Sequence, residues 1–271
     1  MGQKQFTFGV FTKPWGDKTL QELGEFVSGL GLDGIELPVR PGYPVPPEAV
    51  ETLPKAVQVL AKHDVVIDSI AGPMDEKTIA ACGEAGVPII RICGPGLGEG
   101  YLASENQLKG QLDALIPALD RCGVAIGVQN HFGSIIGNAA NLLHLLEGYD
   151  PRHVCAVWDP GHSSLVGQHP AMEADMLGKH LRMVNLKNPY KFRLNSPAAQ
   201  CAQWDFHWTA GRHGMSHWPT VAKVLKERDW IGPLCFTAEY SDGECVERLI
   251  ADDVAFAKGL FGCCSSNTGC G

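Results

Sequence analysis

Short runs of apolar β-formers recur along this chain, and several end in a cluster of polar residues. Val124-Ala-Ile-Gly-Val ends in Gln129-Asn130-His131, and Val154-Cys-Ala-Val-Trp ends in Asp159-Pro-Gly-His162. Met183-Val184 passes into Asn185-Leu-Lys187-Asn188, and Leu234-Cys-Phe-Thr-Ala ends in Glu239. Eight runs predict strands around residues 5–12, 33–38, 65–71, 88–93, 124–130, 154–159, 182–187 and 234–240. Apolar positions between them repeat with a 3.6-residue period over 19–27, 50–60, 108–119 and 221–225, which predicts helices. Asp17, Asp75, Ser104 and Ser216 are the expected N-caps, and Gly31, Gly86, Gly123 and Gly262 the expected C-terminal stops.

Strand starts fall every 23–36 residues until a last gap near 50, the cadence of repeated βα units. Eight such units in this length predict an α/β fold, a single (β/α)8 TIM barrel over residues 1–262. A doubly wound open sheet is the alternative, but its Gly-rich turn would follow the first strand, where this chain has Thr12-Lys-Pro-Trp15. The Cys/Ser/Gly-rich segment 263–271 matches no standard zinc spacing and reads as a flexible tail. Two connections are long: 40–47, stiffened by proline, and 189–216, which carries Trp204, Phe206, His207, Trp208, Arg212 and His213.

Composition narrows the function classes. The chain has 271 residues, is 45% apolar and carries a net charge of −8, so it has ample core material and a surface that argues against nucleic acid. No apolar run approaches the roughly 20 residues that cross a bilayer, and the N-terminus shows no signal-peptide core. Ten cysteines include no C-x-x-C pair, and Cys93, Cys155 and Cys235 sit inside apolar runs. They read as reduced thiols in a cytoplasmic protein.

Polar side chains at the carboxyl ends of successive strands are how a parallel barrel assembles a site from distant sequence. Strand alternation puts Gln129 on a face with His131, Asn185 with Lys187, and Thr237 with Glu239. The Pro-Gly turn after Asp159 is placed to bring His162 back over the same mouth. The constellation is two carboxylates (Asp159, Glu239), two amides, two imidazoles and a lysine. Structural duties compete for the same residues: Asp159 or Glu239 as partners of Lys187 or Arg91, His162 as a cap, His131 as a core histidine, Glu36 as a partner of Arg91. Trp208, Arg212 and His213 on the long connection are candidates to cover the mouth.

Asp33-Gly-Ile-Glu36, Gln129-Asn-His131, Asp159-Pro-Gly-His162, Val184-Asn-Leu-Lys187-Asn and Ala238-Glu239 occur in that order at barrel spacing. In these motifs, over about 250 residues, the chain resembles the xylose-isomerase-like barrels, which include sugar isomerases, ketose 3-epimerases and the endonuclease IV branch. The resemblance implies a small keto-sugar or polyol substrate and proton transfer beside its carbonyl. It implies Glu239, His162 and Lys187 as catalytic residues, and His131, Glu36, Arg212, His213 and Trp208 as substrate-binding ones. In the sugar-converting members one divalent ion is held by glutamate, aspartate, histidine and glutamate on strands five to eight; with the oxygen donors that this chain offers instead, a bound ion would be Mn²⁺ or Mg²⁺. The matching positions here are Gln129, Asp159, Asn185 and Glu239, so two ligands match and two have become amides. The formal charge of the set falls from −3 to −2, and the strand-five base is lost. The resemblance therefore leaves three readings: an isomerase or epimerase with or without metal, a one-base keto-sugar lyase or hydratase, and an inactive carbohydrate-binding barrel. The branch acting on DNA needs a histidine-rich zinc site, which this chain lacks in sequence. Neither membrane nor nucleic acid is an expected partner, and a homo-oligomer is open.

Overall fold

In the computed structural model, which describes residues 5–262, eight parallel strands close into a barrel. They are β1 (Phe6–Phe11), β2 (Gly34–Pro38), β3 (Val66–Ala71), β4 (Ile89–Cys93), β5 (Ala125–Gln129), β6 (Val154–Trp158), β7 (Leu181–Leu186) and β10 (Gly232–Phe236). An antiparallel hairpin, β8 (Asn188–Arg193) with β9 (Trp204–Thr209), stands between β7 and the last helices. The outer layer is α1 (Leu20–Gly29), α2 (Leu53–Leu60), α3 (Glu76–Ala85), α4 (Tyr101–Cys122), α5 (Ala139–Leu146), α6 (Pro160–Leu165), α7 (Pro170–Leu177), α8 (Trp218–Glu227) and α9 (Val246–Phe261). The barrel order is β1-β10-β7-β6-β5-β4-β3-β2, so each strand pairs with its sequence neighbour and β10 closes on β1. The expected (β/α)8 barrel is the observed fold. Residues 263–271 lie outside the described part, and so does the expectation made for them.

Local chemistry explains most helix ends. Thr19, not Asp17, opens α1: its hydroxyl accepts from Glu22 N–H while the Glu22 carboxylate accepts from Thr19 N–H at 2.8 Å. Asp75 caps α3 as expected, accepting from Thr78 N–H at 2.7 Å. Ser104 lies inside α4, which starts one turn earlier after Gly100, and His217 rather than Ser216 caps α8. Gly31, Gly86 and Gly123 take the left-handed conformation of a helix stop, with φ of 67°, 71° and 65°. Gly262 does not, at φ −56°. The connection 189–216, read as a loop, is largely β-hairpin, because Tyr190, Phe192, Phe206 and Trp208 are strand formers that pair across it.

Two cores result. The larger lies between barrel and helices; the smaller plugs the barrel with Phe11, Ala71, Ile89, Val157, Met183 and Cys235. Gly127 leaves room for that plug, since a Cβ there would meet Val157 Cγ2 at 2.7 Å and Ile89 Cγ2 at 2.8 Å. Lower down, a bulge between β2 and β3 leaves Asp68 as the extra residue, and Gly34 and Gly9 make space for its carboxyl. Burial, with Asp33 and Glu36 nearby, pushes Asp68 up to about 7. A Cβ on Gly34 would lie 2.2 Å from Asp68 Oδ2 and 3.0 Å from Val66 Cγ2. Gly34→Ala is therefore expected to cost about 1–3 kcal/mol of stability, an overpacking penalty. Thermal unfolding checks it, and Asp68→Ala added to the same chain should return most of the loss. An unchanged melting temperature in the single variant would contradict this account.

Candidate active site

The plug residues and the polar residues above them follow one period-two rule. Two positions beyond Ile89, Gly127, Val157 and Met183 stand Arg91, Gln129, Asp159 and Asn185, all of them buried. Lys13 stands two beyond Phe11 and Thr237 two beyond Cys235. The apolar plug thus forms the floor of a polar bowl at the carboxyl ends of the strands.

Asp159 is its centre. It caps α6, its Oδ1 accepting from His162 N–H at 3.0 Å, and its Oδ2 accepts from Gln129 Nε2 at 2.8 Å. Asn130 clamps the same turn: its Oδ1 accepts from Asp159 N–H at 2.8 Å, and its Nδ2 donates to Asp159 O and Ser163 Oγ, both at 2.9 Å. Gly161 lets the turn lie on the end of β7, where a Cβ would meet Lys187 O at 2.4 Å. Burial pushes the Asp159 carboxyl up to about 6, against the pull of Lys187 and of its hydrogen bonds.

His131 and His162 face each other with ring centroids 4.0 Å apart. Their protonation follows from the backbone groups of one residue, Phe132. His162 Nδ1 accepts from Phe132 N–H at 3.1 Å, so its proton sits on Nε2, 3.8 Å from Asp159 Oδ2. His131 Nδ1 contacts Phe132 O at 2.9 Å; a carbonyl only accepts, so this nitrogen carries the proton and Nε2 keeps its lone pair. Burial, with Lys187 and His131 nearby, drives His162 far below the usual imidazole range. Burial also lowers His131, with Lys187 adding to it. Both imidazoles are neutral at pH 7.

Glu239 receives two ammonium groups, Lys187 at 2.9 Å and Lys13 on the other oxygen. Burial raises its carboxyl, but the two lysines more than offset this and hold it at about 2. Alternation along β10 does not place it, because that strand stops at Phe236 and Ala238 turns left-handed at φ 51°. Lys187 is buried, with Nζ 3.9 Å from the centre of the Trp208 ring. Trp208 also meets the His162 ring edge to face at 4.8 Å, and Phe206 packs on Phe132 and Trp208. Asn188 holds the hairpin base by donating to Gly211 O and Ser216 O, each at 2.8 Å.

Of the residues marked in the sequence, Gln129, His131, Asp159, His162, Asn185, Lys187, Trp208 and Glu239 gather here. Glu36 is close but fully engaged: it accepts Arg91 Nε and Nη2 at 2.9 and 2.7 Å and Ser69 Oγ at 3.1 Å. Arg212 instead lies over Phe256 of α9, at 4.0 Å, and His213 is exposed beside it. Their neighbour Gly211 is tied to Asp253 of the same helix at 2.7 Å, which turns that segment away from the mouth. Lys13 and Asn130 belong to the bowl without having been marked. Lys13 lies two positions beyond the end of β1, on the same face of that strand as Phe11.

The four positions of the metal pattern are a poor donor set for a divalent ion. Gln129 turns its NH₂, not its oxygen, toward Asp159, and both oxygens of Glu239 hold lysines. Neither atom of the buried Asn185 amide has a partner. A cation would satisfy its oxygen alone, whereas two neighbouring hydroxyls, one donating and one accepting, satisfy both atoms. Among the described residues no three His, Cys, Asp or Glu side chains are grouped to hold a metal.

The sequence profile described as xylose isomerase-like TIM barrel matches residues 25–260. No curated protein matches the sequence significantly. The fold is similar to that of 3-keto-D-glucoside 4-epimerase YcjR from E. coli, with a TM-score of 0.72 at 12% identity, covering 94% of this chain and 99% of that one. It is similar to a xylose isomerase-like TIM barrel protein from Mycobacterium smegmatis in complex with magnesium, with a TM-score of 0.70, 15% identity and coverage of 96% and 98%. It is also similar to D-psicose 3-epimerase with D-tagatose from Clostridium cellulolyticum H10, with a TM-score of 0.69, 11% identity and coverage of 95% and 100%.

Proposed function

This chain belongs to the xylose isomerase-like TIM barrel family, and on that premise we propose that it is an isomerase-type enzyme that moves a proton beside the carbonyl of a small keto-sugar, with an imidazole as base and a lysine in the role of electrophile. The observation that carries this reading is the open lone pair of His131 Nε2, neutral at pH 7, at a mouth shared with the buried ammonium of Lys187.

His131 Nε2 takes the proton from the carbon next to the carbonyl and becomes an imidazolium. The electron pair of that C–H bond moves to the carbonyl oxygen, and Lys187 stabilises the developing enolate as a charged donor. Glu239 fixes Lys187 and keeps it charged. Asn185, with both amide atoms free, binds a substrate hydroxyl. The hydroxyl proton on the deprotonated carbon passes to the enolate oxygen, that C–O becomes the new carbonyl, and His131 returns its proton to the former carbonyl carbon on the same face, which gives aldose–ketose isomerisation. Inversion at one carbon needs a second acid on the other face, and Gln129 has none to offer. Elimination of a β-hydroxyl from the same enolate is the lyase variant of this chemistry. The pairing of Glu239 with two lysines favours one further reading, a carbohydrate-binding barrel without turnover, because a carboxylate held at about 2 is a weak base.

Solvent-deuterium exchange into keto-sugars, followed by NMR, tests the proposal. We expect deuterium at the carbon beside the carbonyl, insensitive to chelator. The rate should climb through an acid limb lying below the ordinary histidine value of about 6.5 and stay flat above it, since the base must be neutral. Asp159, at about 6, titrates in the same region. Exchange that requires added Mn²⁺ would reject the lysine-for-metal reading, and no exchange with any keto-sugar would favour the non-catalytic barrel.

A further inference from the structure

The mouth of the barrel carries more positive charge than its acids use, in a chain whose net charge is −8. Glu36 is taken up by Arg91, and Glu239 by Lys13 and Lys187 together. Arg40 is left over. It follows β2 at the start of the proline-rich connection, half-buried, with its guanidinium 5.7 Å from the centre of the Phe11 ring. Among the described residues no carboxylate pairs with it. Arg91 lies over the same ring at 4.8 Å. Its Nε and Nη2 serve Glu36, while Nη1 reaches only the Cys93 sulfur at 3.6 Å. Arg40, Arg91 and Cys93 line one cavity of about 400 Å³ with Val39 and Gly72. That cavity sits at the ends of β2, β3 and β4, across the barrel from the end of β7 that carries Lys187.

A guanidinium turned inward over an aromatic ring without a counter-ion loses hydration and recovers little from the stacking. Its planar fork matches an oxyanion, and Arg91 Nη1 adds a second donor to the same cavity. We infer that the substrate is an anion, with its carboxylate or phosphate group held in this cavity by Arg40 and Arg91 Nη1 while its carbonyl reaches His131 and Lys187. The inference rests on the proton-transfer reading of the site and specifies the substrate class: a keto-sugar acid or a keto-sugar phosphate. The cavity would also orient the substrate, with the anion on one side of the mouth and the reacting carbon on the other.

Calorimetric titration of D-fructose, D-fructose 6-phosphate and 2-keto-D-gluconate into the wild-type chain and into Arg40→Ala tests it. One of the two anions should bind wild type about 10- to 100-fold more tightly than D-fructose, the worth of a charge-assisted contact. Arg40→Ala should remove that margin and leave D-fructose affinity unchanged, and Arg40→Lys should restore part of it. Whichever anion holds the margin identifies carboxylate or phosphate. Circular dichroism and melting of Arg40→Ala exclude a folding defect, since the side chain gives up only its place over the Phe11 ring. Equal affinity for all three sugars, or a margin that survives Arg40→Ala, overturns the inference and leaves the keto-sugar reading intact. If none of the three binds, the inference also falls, and the exchange assay decides the reading independently.

Discussion

Lys187→Met should lower kcat/KM for keto-sugar turnover by about 10²- to 10³-fold, the usual loss when a donor aimed at a developing oxyanion is removed. Methionine keeps the length and most of the packing against Trp208, so the fold should survive. The change has a second consequence that a purely structural lysine would not produce. Lys187 is one of the charges that hold His131 below the ordinary histidine value, after burial. Without it the His131 titration should move upward, and the acid limb of the pH–rate profile with it. Histidine NMR reads the shift even if turnover becomes too slow to measure. His162 should stay neutral in both forms, because burial is the largest cause of its depression and Lys187 only adds to it. Unchanged turnover in Lys187→Met would remove the electrophile from the mechanism, and an unmoved His131 would show that the lysine does not share its field.

Arg91→Met is expected to have the largest effect on stability. Glu36 is fully buried and Arg91 is 7% exposed, and they form a two-pronged ion pair. Removing the arginine leaves a carboxylate in the barrel with only Ser69 Oγ as donor. Breaking such a pair from one side costs about 3–5 kcal/mol. In a domain of this size that corresponds to a fall in melting temperature on the order of 10 °C. Replacing both partners by methionine should recover most of the loss, since the paired charges themselves repay little beyond their desolvation. The double-mutant cycle, read by urea or thermal unfolding, separates the two contributions. A single variant within about 1 kcal/mol of wild type would mean that the carboxylate takes up a proton or water instead. The same pairing, with Ser69 Oγ, engages both carboxylate oxygens of Glu36.

Several strand ends were legible because side-chain alternation is a property of the chain itself. Once β5, β6 and β7 are located, the inward positions above the plug follow by counting in twos, which gives Gln129, Asp159 and Asn185. The same count gives Lys13 from Phe11. That residue went unmarked because the first strand ends in a 3₁₀ turn, over Lys13–Trp15, rather than in an obvious polar cluster. Counting stops working where the backbone leaves the strand. Glu239 enters the bowl through a left-handed Ala238, and Arg212 leaves it because Gly211 and the guanidinium itself are engaged by α9. The long connection after β7 carried the right aromatic residues, but its hairpin pairing joins positions ten or more residues apart.

The sequence by itself determined the barrel, its eight strands in order and the polar residues on their carboxyl ends. These depend on local periodicity, on glycines with no steric alternative and on the short range of strand–helix connections. Only the tertiary structure decided what those residues do. Which nitrogen of each imidazole holds a proton depends on the backbone of one residue, Phe132, whose C=O meets His131 and whose N–H meets His162. Whether Glu239 is a base or a counter-ion depends on two lysines far from it in the sequence, 226 and 52 residues away. Protonation and charge pairing are set by distance and burial, and both are properties of the folded barrel rather than of neighbouring letters in the sequence.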